Sequence, residues 1–375
     1  AEMLSSLGEP AGTNEKLIAR ARPDDPEWFK GRLYHDNESW GVPALWYNSW
    51  YDVSIGPNLA LYNHATKAGV DAETRDNQYA IVGPSVHCAY GALGPNFKSG
   101  DRELGDASLN VMADVWDFFD RFLKPKADAF QDKPKIRYFQ MGDNAWRTAD
   151  QWPPKQAEEV KLYLRSGGKA NSMFGDGKLS FTAPSGNEPA DTFVYDPKTP
   201  VQTIGGGDCC NGGVVVPGAF DQRPVEVRHD VLVYTSDPLT APVAIAGFVD
   251  AILHVSSDAK DTDFAVKLVD VAPDGTAYII DDTILRARFR EGYDREVFME
   301  KGKTYKLDFT PMTTANTFLP GHRIRVEITS SSFPKYARNL NTGGRNEFEK
   351  DGVVATNQVR HTKSQPSYIV LPIIR

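Results

Sequence analysis

The sequence predicts two regions of different fold class. A parallel α/β sheet with helices on its faces runs to about residue 130, and an all-β sandwich of the jelly-roll kind occupies the rest. Three observations carry this. Before residue 130, short apolar runs alternate with stretches of helical periodicity. Between 124 and 135 the chain reads "KPKADAFQDKPK", charged, with two prolines and little apolar content, which marks a linker. Beyond it come about ten short strand-like runs broken by turn residues, with no helical stripe.

The polar start, residues 1–36, is helical in part, and "RPDDPEWF" reads as a turn into a helix. "PALWY" (43–47) reads as a buried strand. Ile55, Leu59, Tyr62 and Ala65 then recur at helical spacing, and Gly69 stands where that helix would end. "YAIVG" (79–83) is the next buried strand. Leu109, Met112, Val115, Trp116, Phe119, Phe122 and Leu123 form one apolar stripe on a helix of about five turns, with Asp106 or Ser108 as its cap and Pro125 beyond its end. Strand, helix, strand, helix implies parallel pairing. From "IRYFQMG" (136–142) onward the strands of the sandwich follow: "EVKLYLR", "KLSFT", "HDVLVYTS", "VAIAGFVDAILHVSS", "DFAVKLVDV", "AYIIDD", "TYKLDFTP", "HRIRVEITSSS" and "SYIVLPII". "APDGTA" (272–277) is a hairpin turn centred on Asp-Gly.

Composition excludes several classes of function. A net charge of -8 and a pI near 5.5 argue against a nucleic-acid surface, which needs clustered Lys and Arg. No apolar run approaches the ~20 residues of a membrane span, and no signal-peptide pattern opens the chain. A soluble protein is expected, with periplasmic, secreted and cytoplasmic locations and homo-oligomerisation all open. The His residues are scattered without metal-ligand spacing, so neither a metal nor a cofactor is expected. Cys88 beside His87 is expected to fill a small buried space, and Cys209 and Cys210 in "GGGDCCNGG" to be free thiols in a Gly-rich loop.

Two residues remain that carry chemistry. Asp52 and His87 each stand just past the end of a predicted strand, where an open α/β sheet collects its catalytic groups. Asp before His is also the order of the last two triad members in α/β hydrolases. A serine hydroxyl needs an imidazole to take its proton, and a carboxylate to orient that imidazole. Each residue also has a structural reading: Asp52 as a helix cap, His87 as a loop residue after Gly-Pro.

The motifs "WYD" ending one strand, "GPxxH" ending the next, a long helix and then "WRTADQWPP" (146–154) resemble the bacterial cocaine-esterase-like hydrolases. That group includes glutaryl-cephalosporin acylases, α-amino acid ester hydrolases and X-prolyl dipeptidyl peptidases. "DPKTPVQTIGGG", "FDQRPVEVRHDVLVYTSDPL", "DTDFAVKLVDVAPDGTA" and "FPKYARNLNTGG" extend the resemblance over almost the whole chain. It implies that Asp52 is the triad acid and His87 the general base of a serine hydrolase. It also implies that residues 1–36 are a remnant of a helical cap, 37–130 the C-terminal part of an α/β-hydrolase domain, and 131–375 a jelly roll. Ser49 stands where the family often has Gly, and Ser85 where it often has Trp.

The family's nucleophile lies in a G-x-S-Y-x-G elbow upstream of the Asp, and no G-x-S-x-G occurs here. Ser54 and Ser85 sit too close in sequence to the acid and the base to replace it. The chain is therefore expected to be a C-terminal portion or subunit that supplies acid and base to an N-terminal chain or segment carrying the serine. Trp46, Trp50 and Tyr51 are candidates for an acyl pocket. α-Amino acid ester hydrolases carry carboxylates just after the triad Asp, whereas Asp52 is followed by "VSIGPN". A small ester or amide with a neutral or anionic acyl group, as for an acylase, amidase or carboxylesterase, is thus expected ahead of an X-prolyl dipeptidyl-peptidase substrate. A non-catalytic binding sandwich on a degenerate hydrolase half is the competing reading.

Overall fold

Ahead of the sheet, Asp25 and Pro26 start a single helical turn, α1 (Pro26–Phe29). The Asp25 carboxylate accepts from the Glu27 amide, and Pro26 costs no hydrogen bond at the first helical position. The structure, a computed structural model, describes residues 20, 22–30, 38–124, 128–210 and 213–375. The cap remnant expected over 1–36 lies largely outside the described residues.

Strand β1 (Ala44–Tyr51) pairs in parallel with β2 (Gln78–Val86). Parallel neighbours need a crossover, and α2 (Ile55–Ala68) with α3 (Ala72–Asp76) supplies it. The residues α2 buries are Ile55, Leu59, Tyr62 and Ala65, as its periodicity requires. Gly69 ends the helix because space demands it: at φ -59 its backbone is ordinary, but a Cβ would lie 2.6 Å from Arg75 Cγ. β2 is buried along almost its whole length, as a strand covered on both faces should be.

A short hairpin, β3 (Phe97–Ser99) and β4 (Arg102–Gly105), precedes helix α4 (Val111–Leu123). Here the structure corrects the sequence reading. The cap is Asn110, whose side chain accepts from the Ala113 amide at 3.1 Å, and neither Asp106 nor Ser108. The inward residues are Asp114 and Phe118. Asp114 is held by Lys133 at 2.9 Å and Arg137 at 2.6 Å, while Phe118 packs on Tyr79 and Phe130. Met112, Trp116, Phe119 and Leu123 of the expected inward stripe are exposed, Leu123 by 74%. The same contacts revise the linker: Phe130 is buried and Lys133 is ion-paired, so the described part of 124–135 is packed against the sheet.

β5 (Ile136–Gln140), expected to open the sandwich, instead pairs in parallel with β2, and β6 (Ala145–Ala149) pairs antiparallel with β5. The sheet order is β1-β2-β5-β6. β5 and β6 thus belong to the parallel sheet, and the strands of the β-rich network begin with β7.

The remainder is β-rich. Strands β7 (Ala157–Arg165), β8 (Lys178–Ser180) and β9 (Asp191–Tyr195) come first. After the short helix α5 (Arg223–Glu226) follow β10 (Leu232–Thr235), β11 (Val243–Ser257), β12 (Asp263–Val271) and β13 (Ala277–Arg286). β14 (Tyr305–Asp308), β15 (Met312–Phe318), β16 (Arg323–Thr329), β17 (Ala355–Arg360) and β18 (Tyr368–Ile374) complete it. They join in one hydrogen-bonded network with β11 at its hub, paired with β14, β15, β17 and β18. The β12–β13 turn is the expected one: Asp274 accepts from the Thr276 amide at 2.9 Å and Gly275 takes φ +88.

One hydrophobic core, from Trp50 to Leu371, runs through both regions. β15 lies against β5: across the junction the Met141 amide donates to the Ala315 carbonyl at 3.1 Å and the Met141 carbonyl accepts from the Thr317 amide at 2.7 Å. Arg102 crosses it as well, donating to Asp270 at 2.8 Å and to Asn316 at 2.9 Å, all three buried. No helix among the described residues is long and apolar enough to cross a membrane.

Candidate active site

Parallel strands end on the same side of their sheet, so the residues following β1 and β2 share one rim. Register then decides which of them meet. Ser49 lies beside Gly83, but Tyr51 lies beside Val86, so β2 gains one residue on β1 between these pairs. That irregularity brings the next residues, Asp52 and His87, level with each other. It is the kind of bulge that re-aims a side chain beside a functional site.

The two side chains meet. His87 Nδ1 is 2.7 Å from Asp52 Oδ2. Asp52 Oδ1 accepts from the Ser54 amide at 2.9 Å and the Ser54 hydroxyl at 2.8 Å. Asp52 is buried and fixed by these three contacts, whereas the His87 side chain is 37% exposed. With Nδ1 engaged by the carboxylate, Nε2 is the ring nitrogen left to do chemistry, as a general base requires. Tyr90, whose hydroxyl donates to the Tyr47 carbonyl at 3.1 Å, flanks the pair. Burial, then the charge of Asp52, push its phenol up to about 12, so it stays protonated.

The serines near the pair are otherwise occupied. Ser54 donates to Asp52 and accepts from Asn58. Ser85 is buried and bonded through its hydroxyl to that of Ser49 at 2.8 Å. The two departures from the family pattern are thus partners of each other. Cys88 is exposed in a left-handed conformation at φ 56, and so does not fill the buried space expected of it.

Two of the three aromatic pocket candidates are enclosed. Trp50 is enclosed, donating through Nε1 to the Phe139 carbonyl at 2.7 Å and packing on Trp152. Tyr51 is enclosed where the regions meet, its hydroxyl donating to the Ile279 carbonyl at 3.2 Å. Neither has surface left to line a pocket, because at the sheet's end these side chains fill the core. Trp46 is half-buried, tilted against Trp40 and bonded through Nε1 to Gln78.

Two neighbours came with no local signal in the sequence. A cavity of about 230 Å³ beside Asp52, Val53 and Gly56 is closed by Asp281, Asp282 and Lys335 from the β-rich region. Asp281 accepts from the Thr313 amide at 2.7 Å, and burial followed by the charge of Asp282 raises its carboxyl to about 7. Asp282 pairs with Lys335 at 2.5 Å. The second neighbour is the Gly-rich loop. Gly207 packs so closely that a Cβ there would lie 3.0 Å from the Asp52 carbonyl, and the Asp208 amide donates to the Tyr51 carbonyl at 3.4 Å. This seats Cys209 and Cys210, both free thiols, beside His87. The hydrogen bond with Cys210, reinforced by burial, raises the Cys209 thiol to about 11.

Comparison with known proteins agrees with this layout. Residues 128–370 match the family described as X-Pro dipeptidyl-peptidase C-terminal non-catalytic domain. Residues 1–89, which include Asp52 and His87, match the X-Pro dipeptidyl-peptidase (S15 family). The chain is 40% identical to cocaine esterase of Rhodococcus sp. (strain MB1 Bresler) over 361 residues, 94% of this chain and 60% of that protein. It is 26% identical to a putative serine esterase of Mycobacterium bovis, over 91% of this chain and 52% of that protein. Among solved structures, an aminopeptidase from a marine sediment Thaumarchaeota archaeon superposes with a TM-score of 0.82 at 27% identity, over 100% of this chain and 62% of that one. An α-amino acid ester hydrolase superposes with a TM-score of 0.73 at 28% identity, over 88% and 55%. The chain thus spans about half to three-fifths of the length of the proteins it matches.

Proposed function

The chain belongs to the X-Pro dipeptidyl-peptidase and cocaine-esterase-like family of hydrolases, and from that premise we propose that it supplies the acid and base of a serine hydrolase. On this reading its β-rich region is the family's jelly-roll sandwich. The serine comes from an N-terminal chain or segment bearing a G-x-S-Y-x-G elbow. The observation that carries the proposal is the 2.7 Å contact between His87 Nδ1 and a buried, doubly hydrogen-bonded Asp52, with Nε2 left available.

The mechanism follows from that contact. Nε2 takes the serine proton as the hydroxyl attacks an ester or amide carbonyl, and Asp52 stabilises the imidazolium and holds its tautomer. His87 then hands the proton to the leaving group. In the second half it activates water against the acyl-enzyme. Oxyanion donors belong with the nucleophile's segment. Among the described residues β1 ends the sheet order with no strand on its outer edge, and the added segment would extend the sheet there.

For the acyl group, the nearby charges favour a neutral or anionic substrate. "VSIGPN" after Asp52 brings no carboxylate, and Asp281 and Asp282 already have the Thr313 amide and Lys335 as partners. The likeness to an aminopeptidase and an α-amino acid ester hydrolase favours a second reading, a cationic α-amino group. Co-expression with a chain carrying the elbow, followed by fluorophosphonate labelling, tests the assembly. A labelled serine on the added chain and turnover that depends on His87 are expected. Labelling of Ser54 or Ser85 in the chain alone would refute the split site. Glutaryl and α-aminoacyl esters of one alcohol, compared on the assembled enzyme, decide between the acyl readings.

A further inference from the structure

Among the described residues, one group of three side chains brings metal-ligating atoms together: His87, Cys209 and Cys210, all within 4.8 Å of one another. We propose that these three bind a thiophilic divalent cation, zinc by their ligand set, and that occupancy switches the hydrolase off by taking His87 Nε2. The switching half rests on the acid-base reading of His87, whereas the binding half does not.

Four observations converge. Two thiolates and an imidazole are a recurring protein donor set for zinc, leaving a fourth position for water. Asp52 occupies Nδ1, so the nitrogen left to take a metal is Nε2. A carboxylate behind the distal nitrogen is also the arrangement that orients zinc-bound histidines. The spacing is near that of a formed site: Zn–S of about 2.3 Å and Zn–N of about 2.0–2.1 Å put tetrahedral ligand atoms roughly 3.5–3.8 Å apart. A contraction of about 1 Å from the observed limit closes it. Finally, an ion can enter, because Cys210 is exposed and His87 partly so.

The chemistry balances without a co-reactant. Two S–H protons pass to solvent as two S–Zn bonds form, and the imidazole gives its Nε2 lone pair while keeping the Nδ1 proton toward Asp52. No lone pair is then left to accept the serine proton, so acylation stops. The bonds to the metal are reversible, and a chelator restores the base.

The binding arm uses the purified chain, metal-free and under reducing conditions. Cobalt(II) is titrated while thiolate-to-cobalt charge-transfer absorption is followed, and zinc competes against a chromophoric chelator. One equivalent per chain is expected. The C209S/C210S variant should lose the charge-transfer band, His87→Gln should weaken zinc binding, and Asp52→Asn should weaken it about 10- to 100-fold. Absence of the band in the wild type, equal affinity in C209S/C210S, or no effect of His87→Gln would each overturn the site. The switching arm uses the assembled enzyme: zinc should stop wild-type turnover, a chelator should restore it, and C209S/C210S should turn over normally and resist zinc. Zinc binding without inhibition of an active enzyme would overturn the switch. An assembled enzyme indifferent to His87→Gln would instead overturn the acid-base reading, leaving the binding arm to decide the metal site.

Discussion

Strands β1 and β11 stand at opposite extremes of the molecule's hydrogen bonding. β11 is paired on both edges, by β15 and β14 along one and by β18 and β17 along the other, and lies within the continuous core. Among the described residues β1 has β2 on one side and no strand on the other. The contrast extends to side chains. In the β-rich region even charges are buried in pairs, as with Lys267 and Glu327 at 3.2 Å. In the α/β region, helix α4 presents Met112, Trp116, Phe119 and Leu123 outward. One region closes its sheets on themselves, while the other carries the acid-base pair and, among the described residues, leaves an edge unpaired and an apolar helix face exposed. On the proposed reading, incompleteness is concentrated where the chemistry is.

The largest effect that sharpens this contrast is on turnover. Asp52→Asn in the assembled enzyme should lower kcat by about 10⁴, because the imidazolium loses its charge partner and tautomer control, while circular dichroism of the chain stays unchanged. A kcat within tenfold of wild type would remove Asp52 from the acid role. Next comes the junction. Arg102→Met takes the guanidinium from the buried Asp270, leaving His322 at 2.8 Å as its partner, and should cost about 3 kcal/mol in urea denaturation, the low end for a broken buried pair. A loss below about 1 kcal/mol would mean that this ion pair adds little to a junction already joined by backbone hydrogen bonds and apolar packing.

Within α4, the two faces should respond differently. Phe118→Ala should cost about 3 kcal/mol, whereas Trp116→Ala, at an exposed site, should stay within about 0.5 kcal/mol in the chain alone. Equal costs would show that the outer face is covered in solution. The smallest effect is a slope with pH. The Asp281 carboxyl is raised to about 7 from 3.8, so the folded state holds a proton that the unfolded chain has released. Stability from this group is complete below about 3.8 and is lost as pH rises through about 7. Asp281→Asn should therefore flatten the decline of Tm between pH 5 and 7, and an unchanged slope would reject the buried-acid assignment.

How legible all this was depended on whether a residue's neighbours were local. β11 and β12 match the sequence-derived strands residue for residue, because long apolar runs of β-formers admit few other conformations. β15 was missed. "MTTANTF" reads as polar, yet every residue of it is buried, since Asn316 accepts from Arg102 and Thr317 accepts from Gln140. β5 was recognised as a strand and assigned to the wrong sheet, because a strand's own sequence does not say which edge it joins. The α4 stripe was read as core-facing, but paired cations at Lys133 and Arg137 draw the Asp114 face inward instead. Asp52 and His87 were legible because each closes a strand within a recognisable motif. Cys209 and Cys210 were not, because only the tertiary fold carries their loop to His87.

The bond between Ser49 and Ser85 has a consequence for how this site can change over generations. Each hydroxyl is buried and has the other as its partner, on adjacent strands leading into Asp52 and His87. Altering one alone strands the other without a hydrogen bond, at about 1–3 kcal/mol. The pair therefore behaves as one inherited unit, each substitution harmful in the background that lacks the other. A double-mutant cycle on Ser49→Ala and Ser85→Ala would read that epistasis as a coupling energy, and would show that the route by which these strands acquired their serines ran through a less stable intermediate.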